Sequence, residues 1–162
     1  MASHDFTTAF AVDRTPDEVF AAINDVRAWW TGQIEGPTDQ VGQEFTYRFQ
    51  DIHFSRQRVS ELVPGKKVVW HVTEANLAFT EDKAEWKGTD IVFKIRATPT
   101  GTELLFTHRG LTSEVECYGA CSAGWRTFIK GSLFHLLSTG RSWDREFAVK
   151  ALLGRVEVTY PA

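Results

Sequence analysis

Cysteine is scarce in this chain: two in 162 residues, Cys117 and Cys121. A secreted disulfide scaffold would carry more, and an i, i+4 pair on a helix suits a disulfide poorly, so a reduced, cytoplasmic setting is expected. Long apolar runs are missing as well. None approaches the roughly 20 residues of a membrane span. The first residues, MASHDFTTAF, have neither the basic stretch nor the apolar stretch of a signal peptide. Neither sign of charge is in large excess; the net charge of −3 argues against a nucleic-acid partner. The chain contains no G-x-G-x-x-G, phosphate loop, H-E-x-x-H or G-x-S-x-G. NAD enzymes, NTPases, zincins and common hydrolases are therefore disfavoured. No second tight Cys/His pair accompanies the two cysteines to complete a zinc site. No cofactor and no metal are expected.

Aromatic rings are what the chain has in quantity. With 12 Phe, 6 Trp and 3 Tyr they make up 13% of the residues, against a single Met. Large rings build cores, and they also line apolar ligand cavities. Two of them are adjacent: Trp29 and Trp30 follow a short helical stretch and precede the glycines Gly32 and Gly36.

Periodicity divides the chain into a strand, short helices, a run of strands and one long helix. Residues 7–12 read as a first strand. TPDEVFAAINDV then opens a helix with Thr15 as N-cap, Pro16 in the first turn and Glu18 closing a capping box. Val19, Phe20 and Ile23 form its apolar stripe, and VRAWW adds a further helical turn. Strands are expected at 43–49, 52–63, 67–75, 90–98 and 102–111, with a Pro64–Gly65 turn between the second and third of these. The stretch 76–90 reads as a short strand or an exposed loop, with Trp86 as a lid or a surface ring. From about Ser113 to Thr139 apolar residues recur every three or four positions, giving a helix that Gly140 terminates. This is an α+β layout: an antiparallel sheet of six or seven strands, helices on one face, and a cavity where one long helix covers the concave sheet incompletely.

Five marks carry a resemblance: TPDEVFAAI after the first strand, WW closing the helical pair, VSELVPGKKVVW, GTELLFTHRGL, and GWRTFIKGSLFHLLSTG in the long helix. In this order they resemble the activator-of-Hsp90-ATPase-like branch of the START/Bet v 1-like (SRPBCC) superfamily. The resemblance implies a helix-grip fold over residues 1–140, in which a strongly curved antiparallel sheet wraps the C-terminal helix around an apolar pocket. It implies binding of a hydrophobic small molecule such as a lipid or polyketide. A cyclase or dehydratase working in the same pocket is the second reading, and Hsp90 stimulation the third. Residues 141–162 extend past the family pattern. Ser142 is placed to cap a helix bearing Trp143, Phe147 and Leu152 or Leu153, and RVEVTY alternates like a strand. This extension is a docked tail, or an arm that binds a partner or forms a homodimer.

The inward-facing set comprises Phe45, Tyr47, Phe49, Trp70, Phe93, Phe106, Trp125 and Phe128, each a core residue or a ligand contact. Tyr47 could also present a hydroxyl. Cys117 and Cys121 share a helix face, either as small apolar lining or as a thiol paired with His108. His108, inward on the last strand, is the polar pocket candidate and the one candidate acid–base group. His71 should face solvent, and His53 is ambiguous by one register step. Of the two adjacent tryptophans, one should anchor the helices to the core and the other border the pocket mouth. Trp30 is assigned the inner place and counted with the ligand contacts.

Overall fold

The computed structural model describes residues 4–162. Seven strands form one antiparallel sheet in the order β1-β7-β6-β5-β4-β3-β2. They are β1 (Phe6–Val12), β2 (Gln33–Glu35), β3 (Glu44–Phe49), β4 (His53–Val63), β5 (Lys67–Leu77), β6 (Asp90–Thr98) and β7 (Gly101–Arg109). The first strand thus lies beside the last, and the short β2, not anticipated from the sequence, closes the far edge. Pairing of β4 with β5 slips twice, at Arg56/Gln57 and at Val59/Glu61. Each slip inserts an unpaired residue that bends and further twists the ribbon. Those bends turn the inward residues of β3–β5 toward the long helix.

Helix α1 (Pro16–Asn24) starts where its chemistry requires. The Glu18 N–H donates to Thr15 Oγ1 at 3.1 Å and the Thr15 N–H donates to Glu18 Oε1 at 3.1 Å. This reciprocal capping box satisfies two otherwise orphaned donors. A 3-10 turn (Val26–Ala28) follows and delivers Trp29 and Trp30 to the core.

The long helix is continuous from α2 (Tyr118–Arg126) through a π-helical segment (Thr127–Leu133) into α3 (Phe134–Thr139). It begins at Tyr118, later than the periodicity suggests, because residues 112–117 form turns. Its start is fixed by a side chain from elsewhere: the Glu85 carboxylate accepts from the backbone N–H of Glu116 (2.7 Å) and of Cys117 (3.0 Å). A carboxylate here also complements the positive end of the helix. At the other end Gly140 takes a left-handed φ of 76° and donates to the Leu136 carbonyl, as a C′ glycine does.

Six of the seven residues in the π segment are buried, all but Lys130. A helix lying on a sheet buries one stripe; this one is covered on its second side by the C-terminal segment. Helix α4 (Arg145–Leu152) is capped by Asp144, whose carboxylate accepts from the Phe147 N–H. That corrects the expected Ser142 cap. Residues 155–162 form no strand despite their alternation; Tyr160 among them packs on the long helix instead. The Tyr160 hydroxyl lies 3.1 Å from Thr127 Oγ1. A Cβ on Gly131 would collide with the ring of Trp143 and sit 3.2 Å from that of Tyr160. Gly131→Val should therefore push the tail off the helix. We expect a loss of about 1–3 kcal/mol in chemical denaturation, typical of overpacking, and new proteolytic cleavage after Arg141 or Arg145.

Candidate functional site

Strand β3 sends Phe45, Tyr47 and Phe49 inward, and its partner β4 sends His53, Ser55, Gln57 and Val59 to the same face. Phe49 pairs directly with His53 and Tyr47 with Ser55. On the opposite side, α2 and the π segment present Cys121, Trp125 and Phe128. Between these surfaces lies a cavity of about 290 Å³. Its wall comprises Trp30, Tyr47, Phe49, Ile52, His53, Phe79, Trp86, Ala120, Cys121, Gly124, Trp125, Phe128, Leu152 and Leu153. Ile52, Phe79 and Leu153 are exposed and form an apolar rim around its mouth.

Five of these rings close a circuit. Trp30 stacks on Tyr47 with centroids 4.0 Å apart and leans on Trp125 at 5.1 Å. Trp125 stacks on Trp86 at 5.7 Å. Trp86 meets His53 edge-to-face at 4.5 Å, and His53 meets Tyr47 edge-to-face at 5.1 Å. Offset and edge-to-face contacts of this kind contribute about 0.5–1.5 kcal/mol each beyond area burial. Gly32 permits the closest approach on its outer side: a Cβ there would stand 2.5 Å from the Tyr47 ring.

Trp86 reaches this circuit from the segment 78–89, which turns back on itself. The Leu77 N–H donates to the Lys83 carbonyl, the Thr80 hydroxyl reaches the Leu77 and Asp82 carbonyls, and Lys83 Nζ reaches those of Ala78 and Thr80. The ring is buried, so it is neither an exposed loop side chain nor a free lid.

The polar groups differ sharply in how they are used. Burial pushes the His53 pKa down to about 3, so the ring is neutral at physiological pH. Its Nε2 is buried with no hydrogen-bond partner. The indole N–H groups of Trp30 and Trp86 are also buried without a well-aligned acceptor, the first beside the Tyr47 hydroxyl and the second beside the Cys117 and Cys121 thiols. The Tyr47 hydroxyl is committed: it donates to the Thr31 carbonyl at 2.7 Å, and burial raises its pKa above the usual phenol range. It is not a free hydroxyl for a ligand.

His108 occupies a different position from the one its strand suggested. It is fully buried and outside the cavity wall. Trp125 Nε1 donates to its Nδ1 at 3.0 Å, and its Nε2 lies 2.9 Å from Thr89 Oγ1. Burial, with His53 nearby, holds its pKa down to about 3. Both ring nitrogens are spent on the scaffold, leaving neither for a reacting group.

Of the remaining candidates, Phe45, Trp70, Phe93 and Phe106 are core residues behind the wall. Trp70 packs against Phe45, Phe93 and both Trp29 and Trp30. Cys117 is buried outside the wall and Cys121 lies in it, both as free thiols. Their hydrogen bond, with burial, raises the Cys121 pKa, so this thiol stays protonated; the same bond favours ionisation of Cys117 first. His71 lies half-exposed on the outer face, with Nδ1 2.8 Å from Asp90 Oδ1. The two adjacent tryptophans are both buried, with roles reversed from expectation. Trp29 is the anchor, its indole N–H shared between the Ala22 and Ile23 carbonyls at 3.1 and 3.2 Å, whereas Trp30 faces the cavity.

His53, Ile52, Phe79, Trp86, Ala120, Gly124, Leu152 and Leu153 belong to the wall but were not singled out as pocket residues in the sequence. The signal for His53 was present: on β4 three inward positions in succession, His53, Ser55 and Gln57, are polar. Among the described residues no cluster of three or more His, Cys, Asp or Glu is arranged to hold a metal. No helix among them is long and apolar enough to cross a membrane, which says nothing of a β-barrel.

A family model described as activator of Hsp90 ATPase homolog 1-like protein matches residues 13–138. The chain belongs to this family. Its fold is shared with solved structures of low identity. The Aha1 dimer from Colwellia psychrerythraea superposes with a TM-score of 0.69 at 23% identity, covering 88% of this chain and 100% of that one. Protein MLL2253 from Mesorhizobium loti gives 0.64 at 18% identity, covering 96% and 100%. DynU16, from the dynemicin biosynthetic locus, gives 0.62 at 20% identity; the match covers 84% of this family member but only 48% of DynU16. No curated protein matches the chain.

Proposed function

We propose that this family member binds a small hydrophobic, aromatic molecule in the cavity behind the Ile52–Phe79–Leu153 mouth. The observation that carries the reading is the cavity of about 290 Å³, whose wall includes the contacting rings of Trp30, Tyr47, Trp125, Trp86 and His53. An engineered apolar cavity of about 150 Å³ holds a benzene molecule, so a ligand of about two fused rings suits this one. The reading is tested by thermal unfolding with and without naphthalene, read together with tryptophan fluorescence. A rise in Tm and quenching of the Trp30–Trp125 cluster are expected; an unchanged Tm and spectrum at saturating naphthalene would overturn it.

Catalysis as a cyclase or dehydratase is the weaker reading. Such chemistry needs a matched acid and base within reach of the substrate. The wall holds one neutral imidazole, and among the described residues no carboxylate lies in it. Nothing in the cavity favours Hsp90 stimulation. For residues 141–162 the docked-tail reading is supported by Leu152 and Leu153, which are part of the wall, and by the buried Ala148 and Ala151. The Colwellia relative is a dimer, and the exposed Phe147, Leu153 and Tyr160 keep the arm reading as the alternative for this chain. The free thiols Cys117 and Cys121 are consistent with a cytoplasmic setting.

A further inference from the structure

We propose that a second hollow, which shares Trp30 with the apolar cavity, binds a phosphate group gripped between Arg27 of the sheet-and-helix body and Arg145 of the C-terminal tail. The proposal goes beyond the apolar ligand read above and does not depend on it.

The hollow measures about 150 Å³ and lies where three parts of the chain meet: the segment Arg27–Gly32, the π segment through Ser132, and the tail through Ser142, Trp143 and Arg145. No Asp or Glu lines it. Arg27 spends one N–H on the Gly36 carbonyl at 2.8 Å. Among the described residues neither Arg27 nor Arg145 pairs with a carboxylate. A guanidinium carries five N–H donors in a fixed fork, so most of theirs are open to a ligand. The chain has a net charge of −3 and acids to spare, yet it leaves these two arginines together with none between them. The floor of the hollow is polar as well. Ser132 is 2% exposed and lines it. Its hydroxyl bonds to no described residue, and it is not sealed in as the Ser122 hydroxyl is. A buried hydroxyl without a protein partner calls for another one. A neighbouring groove extends the positive field. It contains Arg48 and shares Arg145, Thr31 and Gly32 with the hollow, again without a carboxylate. Three cations around one short segment draw anions in before contact.

The donors narrow the class of anion. Arginine forks match the oxygens of carboxylates and phosphates. Here two forks arrive from different parts of the chain, and Ser132 and Ser142 add hydroxyls. A flat carboxylate has two oxygens and a single charge, too few to serve both forks and the hydroxyls. A phosphate monoester offers three oxygens and about −1.5 to −2 charge at neutral pH. A cavity of about 150 Å³ holds a benzene molecule, so a phosphate group fits. Arg27, Ser142 and Arg145 are exposed, so an ester arm can point to solvent. The N-terminus of α4 is not the source of attraction, because Asp144 already caps it. Since Arg145 belongs to the tail, a phosphate held by both arginines ties the tail to the body. It adds to the contacts of Trp143 over Gly131 and of Tyr160 with Thr127.

The test is isothermal titration of the full chain, in chloride buffer of constant ionic strength, with inorganic phosphate, methyl phosphate and acetate. Inorganic phosphate should bind at least about tenfold more tightly than acetate. Tighter binding of methyl phosphate than of phosphate makes the natural ligand a phosphate monoester, and the reverse order makes it free phosphate; both support the site. Arg27→Gln and Arg145→Gln should each weaken phosphate binding at least about tenfold and Ser132→Ala about threefold, while Arg155→Gln, an exposed charge outside the hollow, should stay within about twofold. Phosphate should also slow tryptic cleavage after Arg141 at least about threefold in the unmodified chain, and not in Arg27→Gln, which leaves the tail itself unchanged. Phosphate that binds no more tightly than acetate overturns the proposal. So does undiminished binding in a folded Arg27→Gln, or an equal loss in Arg155→Gln, which would reduce the effect to net charge. Binding without protection of the Arg141 site overturns the shared grip. The comparison of phosphate with acetate on the unmodified protein stands even if a variant fails to fold. Naphthalene binding is measured separately, so the cavity reading and this one can fail independently.

Discussion

Acidification from pH 6.5 to pH 4.5 should cost this protein about 5 kcal/mol of folding stability, most of it through two histidines. His53 and His108 both have pKa values pushed down to about 3 by burial. In the unfolded chain a histidine titrates near 6.5. Between those values the unfolded state binds protons that the folded state refuses. Stability therefore rises with pH across the window: it is fully present above about 6.5 and is lost as pH falls toward 3. Each histidine contributes a slope of about 1.4 kcal/mol per pH unit, and two give about 2.7 near pH 5. Among the described residues no charged side chain hydrogen-bonds either ring, although Arg48, Asp51 and Lys83 share a surface pocket with His53. His53 faces Tyr47 and Trp86; His108 faces Trp86, Trp125, Thr89 and His53. Urea denaturation at half-unit steps from pH 7 to 4.5 measures the slope, and His53→Phe should roughly halve it. A flat profile from pH 6 to 4.5, or the same slope in the variant, would show that the rings are hydrated or protonated in the native state. Since ordinary domains have only 5–15 kcal/mol in hand, acid unfolding is expected well above the carboxylate range.

The two histidines also mark where sequence reasoning reached and where it stopped. Local chemistry was readable. The Thr15–Glu18 capping box, the Gly140 stop, the Phe45–Tyr47–Phe49 alternation and the strand–turn–strand around Pro64–Gly65 all involve residues within a few positions of one another. Alternation tells which face a side chain takes, but not how far along the strand the cavity extends. His108 was placed correctly on the inward face, yet Trp125 and Thr89, distant in sequence, seal it off. His53 sits at the first residue of β4, where one step of register decides between cavity and solvent, and that register is set by pairing with Phe49 and Leu77. Trp86 was obscured for another reason: its loop has no period, and its fold comes from hydrogen bonds of Thr80 and Lys83 to carbonyls. The tail was legible as an amphipathic helix. Its seat was not, because it depends on Gly131 leaving room for Trp143.

Trp29→Ala should destabilise the protein by about 3–5 kcal/mol, the usual range for deleting a large buried ring, whereas Trp30→Ala should act mainly on ligand binding. The adjacent indoles stack at 6.3 Å and are equally buried, so neither composition nor exposure separates them. Their surroundings do. Trp29 is packed by Trp70 at 6.2 Å and Phe93 at 6.0 Å, and its N–H ties the last turn of α1 to the core through the Ala22 and Ile23 carbonyls. Removing it opens a closed void and breaks that tie. Trp29→Phe keeps most of the packing and should still lose about 1 kcal/mol for the hydrogen bond. Trp30 borders space that already exists, and its N–H has no well-aligned acceptor. Its removal enlarges a cavity instead of creating one, and it relieves a poorly paired donor, so the stability loss should be smaller than for Trp29. Affinity for a bound aromatic should fall at least tenfold, because part of the cavity wall and the ring that holds Tyr47 and Trp125 in place disappear. Parallel denaturation and titration of the two alanine variants test the division directly. A Trp30→Ala protein that binds naphthalene as tightly as the unmodified chain would remove Trp30 from the site, and a Trp29→Ala protein of full stability would remove it from the scaffold.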